Sequence, residues 1–201
     1  MIYQDQRGQG FMEMIVVIGI LVMGIVAILV LTSYNLTAAD YGEKRLIAAN
    51  LAREALEVAR QQRDSNWLAG DDWDNGFPKT ANDNYYARVN FDPDTGDYAI
   101  EYSGDNNIVD LGTCGDDCLL YVTASTFNHD NSGEASGFSR NIKFANICSG
   151  HLNDPISPDT CAETYSGSTR VGISVQANVR WRAGSGLWKQ VVVEDRLFNW
   201  R

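Results

Sequence analysis

The sequence predicts an α+β protein: a long N-terminal helix, transmembrane in its first half and amphipathic in its second, followed by a small antiparallel β-sheet head. Three observations predict it. Met14 to Leu31 is eighteen residues without a charge. Apolar residues then recur at helical spacing, with no proline before Pro78. From residue 85 onward the pattern changes to the two-residue alternation of strands.

As a helix rising 1.5 Å per residue, the uncharged run reaches about 27 Å, close to the hydrocarbon thickness of a bilayer. A secretory signal has a shorter apolar core and a small-residue cleavage site. Thr37-Ala38-Ala39 imitates such a site weakly, but helical sequence continues past it, so the segment reads as retained. Beyond Leu31 the chain is polar without being helix-breaking. Ile47, Leu51, Ala55 and Val58 then fall at spacings of four, four and three, and Ala48, Ala52 and Ala59 widen that stripe. Glu43, Glu54 and Glu57 interleave with basic residues on the other faces, a pattern suited to intrahelical pairs. One helix from about residue 10 to about residue 65 is expected, with Gly19, Gly24 and Gly42 as its weak points.

Composition turns over at Asp64. DSNWLAGDDWDNGFPKTANDN is rich in turn formers, and YYARVNF (85–91) and YAIEY (98–102) flank DPDTGD as a hairpin. LLYVTA (119–124) and NIKFANI (141–147) read as short strands. In VGISVQANVRW, Val171, Ile173, Val175, Ala177, Val179 and Trp181 share one face, and RAGSG turns the chain into LWKQVVVEDRLFNW. Trp181 continues an apolar face and is expected in the core, whereas Trp67 belongs at the junction of helix and head.

Charge is distributed unevenly. Six acids and six bases cancel over residues 1–63, so the remainder carries the whole net charge of −10. An acidic head disfavours polyphosphate, and direct nucleic-acid binding is not expected. Cys114, Cys118, Cys148 and Cys161 all follow the apolar run. With that part of the chain outside the cytoplasm, disulfides are the expected state. Of three connectivities, the local pairs Cys114–Cys118 and Cys148–Cys161 are preferred because each closes a short polar loop. Zinc is the competing reading, against which CGDDC lacks the usual two-residue spacing.

Glu13 sits directly against the apolar run, with Phe11 and Met12 beside it. A lone interfacial acid can snorkel to water, but that leaves the residues before it unexplained. Gly8-Gln9-Gly10-Phe11-Met12-Glu13, followed by the unbroken apolar segment, resembles the processing signal of type IV prepilins and type II secretion pseudopilins. The resemblance implies a pilin-like chain that is cut after a glycine by a membrane-embedded prepilin peptidase and then methylated on the new amine. Its parts would be a cytoplasmic leader over 1–8, a helix over 9–66 (membrane portion about 14–31, amphipathic portion about 40–66) and a β-rich extracytoplasmic head over 67–201. Cutting between Gly8 and Gln9 makes Glu13 the fifth mature residue, where the family usually has glutamate. Cutting between Gly10 and Phe11 gives the more usual Phe start but makes Glu13 third. The first register is preferred because the acid is implied in assembly, as partner of a neighbouring subunit's terminal amine. The chain departs from the family in having Gln9 as the first mature residue, and Val30 where many members carry proline. ANLAREALEVARQQRDSNW, SGFSRNIKF (136–144) and the closing strands are similar to pseudopilin-type segments, though less specifically.

The expected function is a structural subunit of a type IV pilus-like filament or pseudopilus. Its implied partners are copies of itself or related pilin subunits, the peptidase, and the cytoplasmic membrane before export into the filament. A minor pseudopilin that initiates or caps assembly, and a monomeric membrane-anchored surface binding module, are the alternatives. Asp-rich turns raise calcium, with Asp92, Asp94 and Asp97 of DPDTGD as candidates beside GDDWDNG and NHDNSGE, but none completes a twelve-residue cation loop. No cofactor is expected. No nucleophile elbow, HExxH or phosphate loop occurs. His129 and His151 lie in polar turn-like stretches where solvated imidazoles are the norm, so no enzyme is expected.

Overall fold

The computed structural model describes residues 9–79, 85–92, 95–102, 110–123, 125–150, 156, 161, 168–184 and 186–200. One helix, α1 (Gln9–Ala69), leads the chain. It runs through Gly19, Gly24 and Gly42, where no other atoms crowd the missing side chains. The chain divides into two compact units within this helix, residues 1–43 and residues 44–201.

In the first unit every described side chain from Gly10 to Glu43 is exposed. Nothing inside the unit buries its leucines, isoleucines and valines.

The second unit holds the amphipathic part of α1 and, among the described residues, a seven-stranded sheet. Its strands are β1 (Tyr86–Asp92), β2 (Asp97–Tyr102), β3 (Leu119–Thr123), β4 (Thr126–Asn128), β5 (Glu134–Cys148), β6 (Arg170–Arg182) and β7 (Trp188–Phe198). The pairings are antiparallel throughout. β5 is the axis of the sheet. One edge pairs with β6 from Phe138–Trp181 to Cys148–Arg170. The other edge is shared by β1, through Tyr86–Lys143 and Ala87–Ile142, and by β3, through Leu119–Ser139 and Tyr121–Ala135.

The predicted α+β architecture, helix first and sheet after, is the architecture observed. The expected stripe is the buried one: Ala48, Leu51, Ala52, Ala55, Val58 and Ala59 lie in the core, and Ile47 packs at its margin. Leu56 joins them. Against this face the sheet presents Phe138, Ile142 and Phe144 of β5, Val175, Ala177, Val179 and Trp181 of β6, and Leu197 of β7. Ala48, Ala52, Ala55 and Ala59 are each 0% exposed. Their short side chains let the helix backbone lie close to the sheet, while each large core side chain removed from water contributes about 1.5–3 kcal/mol.

Two strands differ from expectation. β5 begins at Glu134 rather than near 141, and β4 was not anticipated. The first half of β5, EASGFSR, lacks clean alternation. Its first residues pair with β3 and, from Phe138 on, β6 pairs with the other edge, which overrides weak local preference. Gly137 has φ +77°, a left-handed conformation that only glycine takes without strain, and it lies where the β3–β5 register shifts. At Gly172 the constraint is space instead: an added Cβ would lie 2.7 Å from the Phe198 ring and 2.8 Å from the Leu197 carbonyl oxygen.

Candidate functional site

The residues singled out at the N-terminus fall at the start of α1. Gln9 is its first residue, Gly10 and Phe11 follow within the first turn, and Gly8 lies outside the described residues. Glu13 stands about one turn after Gln9 along the helix and is exposed. Phe11 is 68% exposed, and the apolar side chains up to Leu36 are comparably open. Polar residues inside this stretch are accommodated by the helix itself. The hydroxyl of Thr32 donates to the Ile28 carbonyl at 2.9 Å and that of Thr37 to the Ser33 carbonyl at 3.0 Å. Such back-bonding removes the cost of placing a hydroxyl in an apolar medium. The helix is long and apolar enough to cross a membrane, and its composition is compatible with anchoring there.

In the head, the cysteines pair locally, Cys114 with Cys118 and Cys148 with Cys161. The zinc alternative is thereby overturned, because each sulfur is consumed in a covalent bond. Cys114–Cys118 closes a loop that begins at Asp110, whose carboxylate accepts the Gly112 N–H at 2.7 Å. Leu111 and both cysteines of that loop pack against Tyr86. Cys148–Cys161 ties the end of β5 to a segment that also bridges back at Ile156, whose N–H donates to the Asn146 carbonyl at 2.9 Å.

Of the calcium candidates, only part lies among the described residues. Asp92 and Asp97 face each other across the closing pair of the β1–β2 hairpin, and Asp94 lies outside the described residues. Asp74 of GDDWDNG is engaged by Lys79 at 3.3 Å and Arg170 at 3.2 Å. Asp130 of NHDNSGE accepts from Ser132, which is ordinary turn chemistry. Among the described residues no three His, Cys, Asp or Glu side chains converge as a metal site would require.

His129 corrects an expectation. It is buried, not solvated: its Nδ1–H donates to the Leu119 carbonyl at 3.1 Å, and its Nε2 has no hydrogen-bond partner. Burial first, then the nearby guanidinium groups of Arg140 and Arg88, lowers its pKa to about 3. The turn composition around it concealed a strand, β4, that carries it inward. His151 lies outside the described residues.

Sequence reasoning also missed Arg140, a fully buried guanidinium on the core face of β5. It donates to Glu54 at 2.8 Å, to the Leu51 carbonyl at 3.2 Å and to the Val89 carbonyl at 2.9 Å. One charge thus fastens α1, β1 and β5 together. Only its place on the apolar face of an alternating strand could have flagged it. Arg60 makes a second tie, donating to Asp195 of β7 at 2.8 Å and pairing with Glu57 along the helix. Trp67 is half-buried and meets Trp200 edge-on at 4.5 Å, and Trp181 lies in the core, as expected.

Comparison with protein-family models, with curated proteins and with solved structures finds no match to this chain. Its class rests on its own architecture: a long apolar N-terminal helix that continues, amphipathic, into a disulfide-bonded antiparallel head.

Proposed function

We propose that this chain is a structural subunit of a type IV pilus-like filament or pseudopilus. In this reading prepilin peptidase cuts between Gly8 and Gln9, and the processed chain polymerises through its N-terminal helix. One observation carries the reading: from Gly10 to Glu43 the helix is exposed on every side, and its apolar run is interrupted by a single acid at its mouth. Such a surface needs an apolar surrounding, first the bilayer and then neighbouring helices of the same kind. Gly19 and Gly24 let those helices approach closely. An unpaired carboxylate among packed helices is costly, and a terminal ammonium from the next subunit relieves that cost. Glu13 acts as a register device, with most of the packing energy coming from the apolar surface.

A subunit that initiates or caps assembly shares these features. A membrane-anchored binding module is the reading from another class, and the polar cavity on the outer face of the sheet favours it. The two classes differ at the N-terminus, because a tether requires neither processing nor Glu13. Mass and N-terminal sequence of protein taken from cells are expected to give a chain starting at methylated Gln9. A start at Phe11 would move the register to the second bond, and an intact Met1 in mature surface protein would refute the reading. Glu13→Ala is expected to be cleaved normally yet to yield few filaments; normal filament yield would remove the pairing role.

A further inference from the structure

The face of the sheet turned away from α1 carries a concavity for which filament assembly has no use. A cavity of about 290 Å³ opens there, walled by the Asp110–Gly112 loop on one side and by β5, β6 and β7 beneath. We infer that it binds an acidic saccharide, with the sugar carboxylate held by Arg180 and the hydroxyls held by a ladder of carboxamides that ends at Lys143.

Charge is the first argument. The chain as a whole is at −10, yet this cavity is lined by Lys143, Arg180 and Lys189 against one acid, Asp110. None of the three cations makes an ion pair with a described residue, whereas most head arginines do. The Arg180 guanidinium lies 4.5 Å from the centre of the Trp188 ring, and its Nε is buried without a hydrogen-bond partner. An oriented guanidinium with unused donors is what carboxylate recognition needs.

The neutral groups narrow the ligand. Asn178 donates to Asn141 at 3.1 Å, and Gln190 reaches Asn178 at 3.5 Å, so amides form a row across three strands. Amides present donors and acceptors together, which suits hydroxyl groups and offers nothing special to a bare anion. Trp188 is 52% exposed beside them and, with Arg180 and Arg182 over its ring, adds an apolar edge to the cavity wall. A second cavity of about 190 Å³ adjoins the first and shares Lys143 and Gln176 with it. There Glu194 balances Lys143, and the Ser174 hydroxyl donates to Glu194 at 3.0 Å. An anionic unit belongs in the first cavity and a neutral, hydroxyl-bearing unit in the second. The first volume lies at the small end of ligand pockets, about 300 Å³, and accommodates one saccharide unit.

The test is calorimetric titration of the full-length protein in detergent micelles at low ionic strength. Its ligands are glucuronate, glucose, acetate and a hyaluronan tetrasaccharide, in which uronate and neutral units alternate. Glucuronate is expected to bind at least about tenfold more tightly than glucose or acetate, and the tetrasaccharide more tightly still. Arg180→Gln is expected to lose at least about tenfold in affinity with an unchanged melting temperature. Lys143→Gln serves the same purpose should the first variant fold poorly. Glucose or acetate binding as well as glucuronate, no heat at millimolar ligand, or unchanged affinity in a folded variant would each overturn the proposal. A tetrasaccharide no tighter than glucuronate would overturn the two-unit site. The site lies wholly in the head, so these results are independent of whether the helix assembles.

Discussion

Arg140 and Glu54 put the largest single-residue stakes into the head. Removing the carboxylate leaves a guanidinium that is 0% exposed with only backbone carbonyls as partners. Glu54 is itself 32% exposed, so solvent already screens part of the pair. Glu54→Ala is therefore expected to destabilise the head by about 1–3 kcal/mol, read as a shifted denaturant midpoint. Arg140→Met, which removes the buried charge together with its need for a partner, should cost less than an isolated charge deletion would suggest. His129 makes a pH prediction. Unfolded, its imidazole takes up a proton below about 6.5; folded, it resists until about 3. Its contribution to stability is complete above pH 6.5 and is lost as pH falls toward 3. Between those limits the wild type should lose up to about 1.4 kcal/mol per pH unit more than His129→Gln, measured by denaturation at stepped pH. Trp67 and Trp181 were legible because each stands out against a regular local pattern. Arg140 and His129 were not, since their meaning depends on partners 86 residues away for Arg140 and on a strand too short to announce itself.

At the scale of elements, the alanine face of α1 sets how near the sheet can lie. Ala52 is 0% exposed, so Ala52→Leu must either displace the helix or force strained rotamers. It is expected to cost about 1–3 kcal/mol, visible as a lower melting temperature, whereas Arg53→Leu at the exposed neighbouring position should be near neutral. The helix was readable over nearly its whole length because its period persists through the change from apolar to amphipathic. β6 and β7 were readable for the same reason, their alternation being long and regular. β5 was recovered only in its second half. Its Ser- and Gly-rich beginning becomes strand because β3 supplies hydrogen-bond partners along one edge and β6 takes up the other from Phe138, a circumstance no window of local sequence contains.

For the molecule as a whole, the bare surface from Gly10 to Glu43 dominates behaviour. Full-length protein is expected to stay with the membrane fraction through high salt and alkaline carbonate, and to be released by detergent. Release by salt alone would show that the helix does not insert. The functional reading joins this surface to Glu13 and the Gly8–Gln9 bond, and it remains a proposal to be decided at the N-terminus of the mature chain. The outer-face cavity is a different matter. Arg180, Asn178, Asn141 and Trp188 carry no local signal, because their convergence depends on a strand register that their neighbours impose.

The sequence by itself determined the apolar run, the helical stripe and the order of helix before sheet, and it favoured the local disulfide pairing. These follow from periodicities and separations of a few residues, which the chain carries wherever it goes. Only the tertiary structure decided that β5 is the axis of the sheet, that Arg140 fastens helix to strands, that His129 is buried, and that cations and amides meet on the outer face. Each depends on residues distant in sequence being brought to one place, where pairing edges and excluded water outweigh local preference.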